Sequence, residues 1–313
     1  MKFLFVNIYG TGHVNPSLEL VKQLVVDGSE VVYFTHPRFG EKLKSIGAVP
    51  MTYGDGFTLG NYSEKKRFPS WLFPGAVFGM LPILLDYIRH EEEENGVIDG
   101  IIFDAFAIAG YFVAKILHKP AIRSSSSFPG GYHELSSQFY AKEDPEVLSA
   151  ISELEKTYSL VEGTDFFAPY EDCLQERADS VLSVVYTVEH LQPPVKQLQH
   201  GKFCFVGCSV PNKLPALHGD DKDLFESISQ WKQQGTKVVY ISLGTVASLS
   251  ENLVRTLVDG INMCKGDYRA VLTGFSDSIR TTMENADKAV DFSLFLCTPF
   301  APQLHILSIA DVF

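Results

Sequence analysis

The stretch Phe3-Leu4-Phe5-Val6-Asn7-Ile8-Tyr9-Gly10-Thr11-Gly12-His13-Val14-Asn15-Pro16-Ser17 decides the fold. A mostly apolar run enters a Gly-x-Gly turn, and an amphipathic stretch follows. The apolar run predicts a buried strand over 2–9. Asn15 suits an N-cap and Pro16 a first helical residue, which predicts a helix over 17–27. Leu18, Val21 and Val25 share one face of that helix, and Gly28 is its expected stop. Strand, tight turn and helix start meet at His13. In an α/β sheet this is the crevice end of a strand, where ligands bind.

The alternation continues outward. Strand patterns at 30–35, 97–103 and 120–124 interleave with helix patterns at 38–46 and 107–117. A helix at 146–158 and strands at 180–185 and 202–206 follow. The rhythm predicts an α/β protein with a parallel, doubly wound sheet. It breaks over 53–90, which carries Phe57, Phe68, Trp71, Phe73, Phe78 and Tyr87. Two readings of that segment stay open: a lid or helical insert lining an apolar pocket, and ordinary packing of a long connection. Glu91 to Glu94 reads as a solvated helix end. Ser124 to Ser127, with Phe128, reads as a polar loop after a strand.

Residues 207–221, with Pro211, Pro215 and Gly219, have linker composition. Beyond them the alternation restarts. Helices are expected at 223–234, 250–264, 278–286 and 302–309, and strands at 237–242, 268–273 and 292–297. A last strand is expected to begin at Asp311. The chain therefore divides into a first domain over 1–206, a linker over 207–221 and a second domain over 222–313. A length of 313 residues fits about two domains.

Charge narrows the partners. With 38 acidic and 26 basic side chains the net charge is −12, which disfavours nucleic acid and anionic membranes. The greasiest window, 71–85, is short and contains Pro74 and Pro82, so no transmembrane segment is expected. The short N-terminal apolar run reads as a strand rather than a signal peptide. Five cysteines without CxxC pairing point to a reduced, cytoplasmic compartment, with Cys204 and Cys208 as buried strand-end thiols.

A dinucleotide fingerprint fails twice: Asn15 stands at the third-Gly position, and the next strand ends in Thr35-His36. No GxSxG marks a nucleophilic serine, and the histidines show no metal-ligand spacing. A general base remains. Asp104 ends the strand over 97–103 at the same sheet edge as His13, so the two can pair as base and orienting carboxylate. A structural histidine beside a capping aspartate is the competing reading. In the second half, Ser242-Leu243-Gly244-Thr245 follows a strand, where glycine lets backbone N–H groups approach an anion. Phe300-Ala301-Pro302-Gln303 follows another strand. An aromatic platform with a polar Gln303, or simply a staple and a Pro-started helix, explains it.

Taken in order, Gly12-His13-Val14-Asn15-Pro16-Ser17, Ile102-Phe103-Asp104-Ala105-Phe106, Ser242-Leu243-Gly244-Thr245 and Phe300-Ala301-Pro302-Gln303 resemble the UDP-sugar-dependent glycosyltransferases of the macrolide-glycosyltransferase type. The resemblance implies a GT-B fold, two Rossmann-like domains with acceptor on the first and nucleotide sugar on the second. It implies that His13 takes a proton from an acceptor hydroxyl and that Asp104 balances it. The anomeric centre is then inverted, with no metal and no cofactor beyond the UDP-sugar co-substrate. Ser242, Gly244 and Thr245 would lie by the donor phosphates. Phe300, where the family usually has Trp, would stack on uracil, Gln303 would reach the ribose, and Pro302 belongs to the same donor-binding segment. Gly12, Phe57, Trp71, Phe73, Phe78, Ser125 and Phe128 form the candidate acceptor pocket, which suggests an apolar acceptor such as a lipid, polyketide or phenol.

The family pattern continues past Asp311-Val312-Phe313 into an HxGxxS-type turn that holds the diphosphate. The expectation is therefore a second domain cut short and a chain inactive by itself, binding UDP weakly or not at all. Two other readings stay open: a non-catalytic homologue that binds an apolar ligand, and a nucleotide-sugar epimerase-like enzyme.

Overall fold

The computed structural model describes residues 1–8, 10–52, 74–129, 149, 152, 156, 181–192, 202–244, 250–264, 266–275 and 292–313, with backbone alone at 52 and 74–79. The chain divides into two compact units, Met1–Val210 and Pro211–Phe313.

The first unit is built on β1 (Lys2–Val6), β2 (Glu30–Thr35), β3 (Val49–Thr52), β4 (Gly100–Asp104), β5 (Ala121–Ser125), β6 (Leu182–Val185) and β7 (Lys202–Phe205). They form one sheet in the order β3-β2-β1-β4-β5-β6-β7, and every pairing is parallel. From β1 the chain first winds outward through β2 to β3, then returns to the other side of β1 as β4. That reversal is the topological switch point of a doubly wound sheet. The four-residue β3 escaped the sequence pattern because Pro50 interrupts it. Proline is tolerated there because β3 is an edge strand.

Helices cover both faces, which is why β1, β2 and β4 read as near-continuous apolar runs rather than alternating ones. On one face, Phe5, Val31, Tyr33 and Ile102 pack against α1 (Thr11–Val26) and α2 (Gly40–Ser45) through Val14, Leu18, Val21 and Leu43. On the other, Leu4, Val6, Val32, Phe34, Ile101 and Phe103 pack against α3 (Pro74–Asn95) and α4 (Ala109–Ile116). The α3 part of this core is Met80, Leu81, Leu84, Leu85 and Ile88, a helical stripe. From Met80 onward the irregular segment is thus core packing. Nor is its acidic end merely solvated: Glu91 pairs with the buried Lys2, and Glu92 with Lys119.

Two expectations need correction. Helix α1 begins at Thr11, not at residue 17, and its N-cap is Gly10 rather than Asn15. Gly10 is extended (φ −75°, ψ 124°), and its carbonyl accepts from the amides of His13 and Val14. Pro16 therefore lies inside the helix and His13 in its first turn. The second correction concerns Cys204 and Cys208, which are exposed. Cys204 lies on β7, an edge strand whose alternate residues are exposed, and Cys208 lies just past its end.

Helix α4 sits unusually close to the sheet. A Cβ added to Gly110 would lie 2.5 Å from the Phe103 Cβ and 3.2 Å from the Val6 Cβ. These are atoms fixed to strands, so the helix itself must move. Gly110→Ala is expected to cost about 1–3 kcal/mol, read as a lower urea midpoint at unchanged m-value; an unshifted midpoint would refute the tight packing.

The second unit holds β8 (Lys237–Ile241), β9 (Tyr268–Thr273) and β10 (Phe295–Thr298), in the parallel order β10-β9-β8. Helices α5 (Gly219–Gln233), α6 (Glu251–Asn262) and α7 (Gln303–Leu307) accompany them. Ser250 caps α6 by accepting from the Leu253 amide. Val254 and Val258 of α6 pack with Leu272, while Ile228 of α5 and Ile306 of α7 pack with Val238 and Val271. Val312 makes a parallel bridge to Val239, so chain is added beside β8 from the point where a strand was expected. Asp311 fixes this join, accepting from Lys232 Nζ and from the Val238 amide at 2.7 Å each.

Candidate active site

Val6 pairs with Phe103, so the chain leaves β1 beside the point where β4 ends in Asp104. The switch point thus holds one residue from the first turn of α1, which follows β1, and one from the end of β4. His13 and Asp104 occupy those places. Nδ1 of His13 lies 3.0 Å from each carboxylate oxygen of Asp104. Asp104 is fully buried, and the His13 side chain is 18 % exposed. A buried carboxylate needs donors. Oδ1 also accepts from the Phe106 amide at 2.9 Å, which fixes Asp104 in the turn that closes β4.

Other groups also meet the imidazole, at one face, at the Cδ2 edge and at Nδ1. The Phe106 ring is tilted across it with centroids 4.6 Å apart. Gly10 lies along its edge, where an added Cβ would come within 2.9 Å of His13 Cδ2. Ser126 Oγ is 3.0 Å from Nδ1. Three oxygens therefore face one ring nitrogen. A lone pair on Nδ1 would oppose both carboxylate oxygens, so the proton belongs on Nδ1. That tautomer leaves Nε2 with the lone pair, able to accept a proton.

Beneath the histidine lies a buried polar set. Asn7 Nδ2 donates to the His13 carbonyl at 3.2 Å and to Tyr33 Oη at 2.7 Å. Ser17 Oγ is 2.7 Å from Tyr33 Oη and donates to the Val14 carbonyl. Burial first, and the charge of Asp104 among further causes, hold the Tyr33 phenol above its ordinary range, so it stays protonated as a donor. Tyr186, also buried, is pushed up to about 12 and accepts from Ser124 at 3.1 Å.

The other expected site residues fall as follows. Gly12 is exposed in the first turn of α1, with open space where a side chain would be. Ser125 is fully buried and donates to the Ser127 carbonyl, so Ser126, not Ser125, reaches the histidine. Phe128 is exposed. Phe57, Trp71, Phe73 and Thr245 lie outside the described residues, as does the side chain of Phe78. In the second unit, Gly244 has φ +74°, a left-handed conformation suited to glycine, and its amide donates to Ser242 Oγ at 3.3 Å. Phe300 is 81 % exposed, its carbonyl held by Thr298 Oγ1. Pro302 is the N-cap of α7 and Gln303 its exposed first residue. Because β8 and β10 run parallel in one sheet, both segments lie at its carboxyl edge.

Ser126, Phe106, Asn7, Tyr33 and Ser17 were not among the expected site residues. A polar residue at the end of an apolar strand was the available signal for Asn7; Phe106 stood inside a quoted motif.

No protein-family model matches this chain. Curated proteins do. It is 26% identical over 320 residues to an uncharacterized UDP-glucosyltransferase, YdhE of Bacillus subtilis, covering 99% of this chain and 74% of that protein. It is 24% identical over 325 residues to the oleandomycin glycosyltransferase of Streptomyces antibioticus, covering 98% of this chain and 67% of that protein. These matches run through both units and every motif quoted above. The chain is thus similar over nearly its whole length to UDP-glycosyltransferases. Among solved structures, the glycosyltransferase of kitacinnamycin superposes with a TM-score of 0.66 at 20% identity, covering 100% of this chain and 74% of that one. UGT2 of Phytolacca americana, complexed with UDP-2-fluoro-glucose and pterostilbene, gives a TM-score of 0.62 at 15% identity, covering 99% and 74%. The chain thus has the α/β fold of the GT-B glycosyltransferases. Among its described residues, no helix is long and apolar enough to cross a membrane.

Proposed function

We propose that this enzyme transfers a hexose from a UDP-sugar to a hydroxyl of an apolar small-molecule or lipid acceptor, inverting the anomeric centre. The observation that carries the reading is the His13–Asp104 pair at the switch point, with Nδ1 held by both carboxylate oxygens. Nε2 of His13 takes the acceptor proton as the acceptor oxygen attacks C1. The bond from C1 to the diphosphate oxygen breaks, and its electron pair leaves on UDP. Asp104 stabilises the imidazolium that forms, so no metal is needed to ionise the acceptor.

In this reading Ser242, Gly244 and Thr245 flank the donor phosphates. Phe300 offers its exposed face to uracil and Gln303 its amide to the ribose. Gly12, Phe57, Trp71, Phe73, Phe78, Ser125 and Phe128 are the proposed surroundings of the acceptor. A nucleotide-sugar donor is supported by the relatives named as UDP-glucosyltransferases, and a small apolar acceptor by pterostilbene in the Phytolacca americana structure. A cytoplasmic setting belongs to the same reading and rests on the cysteine spacing, which has no CxxC pair.

The test is a product assay with the full-length enzyme, UDP-glucose and a panel of phenols and alcohols. One UDP should form per acceptor glucoside, and NMR should show the β anomer from the α-linked donor. An α product overturns single-displacement inversion. Altered free sugar formed without acceptor would favour an epimerase instead.

A further inference from the structure

We propose that Asn7 is a positioning residue for His13, acting through the backbone of the helix turn that carries it; this rests on the reading of His13 as base. The observation is a buried tie whose protons have a single consistent arrangement. Asn7, Ser17 and Tyr33 are all fully buried. The Asn7 side-chain oxygen accepts from the Ile8 amide at 2.7 Å, which sets the orientation of its amide group. Both Nδ2 hydrogens are then used, one on Tyr33 Oη and one on the His13 carbonyl. The Ser17 hydroxyl hydrogen goes to the Val14 carbonyl, so the Tyr33 hydrogen points to Ser17 Oγ. The set thereby runs from the end of β1, through β2, to two successive carbonyls of the first turn of α1.

That turn needs an external hold. Pro16 lies inside α1 and has no amide hydrogen for the carbonyl of Gly12, which its ring also crowds. The helix bond that would close over the His13 turn is therefore missing. Asp104 and Phe106 hold the imidazole ring and the Gly10 carbonyl accepts from the His13 amide, but none of these holds the His13 carbonyl. Asn7 does, from a strand that is itself locked by its amide bond to the Phe34 carbonyl at 2.9 Å. Loss of the tie lets the turn shift while leaving the donor and acceptor surfaces intact. The expected signature is therefore in kcat, not in KM.

The test compares Asn7→Leu, similar in size but without donors, with Thr35→Val in the full-length enzyme. Thr35 is equally buried at the neighbouring strand end and bonds the Ile8 carbonyl at 3.1 Å, without reaching the histidine turn. Both should lose melting temperature. Asn7→Leu alone should lower kcat by about 10- to 100-fold with both KM values within about threefold. If Asn7→Leu does not fold, Asn7→Ser takes its place with the same readings. Unchanged kcat, a change confined to KM, or an equal fall in Thr35→Val overturns the positioning role. The base reading is tested separately in the same series. In a His13→Ala background Asn7→Leu should lower the residual rate no further. If His13→Ala retains full turnover, the base assignment itself fails; if His13→Ala is inactive but Asn7→Leu is not impaired, only the positioning role fails.

Discussion

Replacing His13 with alanine is expected to lower kcat for transfer to an aliphatic alcohol by about 10³-fold, the middle of the range for removing a general base. The KM for the UDP-sugar should stay within about twofold, because in this account the donor is held by Ser242, Gly244, Thr245, Phe300 and Gln303. An alcohol is neutral at working pH, so without a base the oxygen attacks while still carrying its proton. His13→Gln separates loss of chemistry from loss of fold. Its side-chain amide can still donate to Asp104, so the buried carboxylate keeps a partner, yet it cannot take a proton. The two variants should be equally impaired, and steady-state kinetics with circular dichroism checks both. Alcohol turnover within tenfold of the parent in a folded His13→Gln would remove the histidine from the mechanism.

The second large effect is expected from Asp104→Asn. The shape is preserved, and the amide oxygen can still accept from the Phe106 amide as Oδ1 does now. The NH₂ group then faces Nδ1 of His13 and favours a lone pair there, placing the ring proton on Nε2. This is the wrong tautomer for a base, and the negative charge that stabilises the imidazolium is also gone. The corresponding Asp-to-Asn change in the serine-protease triad costs about 10⁴-fold, and a loss of about 10²–10⁴-fold in kcat is expected here. An intact rate in folded Asp104→Asn would reduce Asp104 to a capping residue of the β4 turn, the competing reading that the sequence left open.

Much of this frame was legible before the structure. The apolar runs at β1, β2 and β4 marked buried parallel strands. Gly10 to His13 marked the turn after the first, and the acidic Asp104 closing an otherwise apolar run marked the end of the fourth. Parallel pairing of β1 with β4 then brings the two residues to one edge. The start of α1 was not legible, because Pro16 is as good a first helical residue as a tolerated interior one. In the structure the helix is capped at Gly10, and its first turn is tied by Asn7, which also bonds Tyr33 on the neighbouring strand. The choice between Ser125 and Ser126 was hidden for a similar reason. In a run of four serines, only the end of β5 determines which hydroxyl turns inward and which reaches the histidine. Helix α3 was obscured by Pro82 and by aromatics that point equally to a pocket and to a core. Its buried stripe from Met80 to Ile88 places that part in the core.

The central claim is that His13 removes a proton from the acceptor, and it is tested most directly by comparing two acceptors in the same variant. An aliphatic alcohol needs the base, whereas an acidic phenol already ionised in the assay buffer does not. The account predicts that His13→Ala loses about 10³-fold in kcat/KM with the alcohol and less than about tenfold with the phenolate. Equal losses with both acceptors, or full retention with the alcohol, would contradict it.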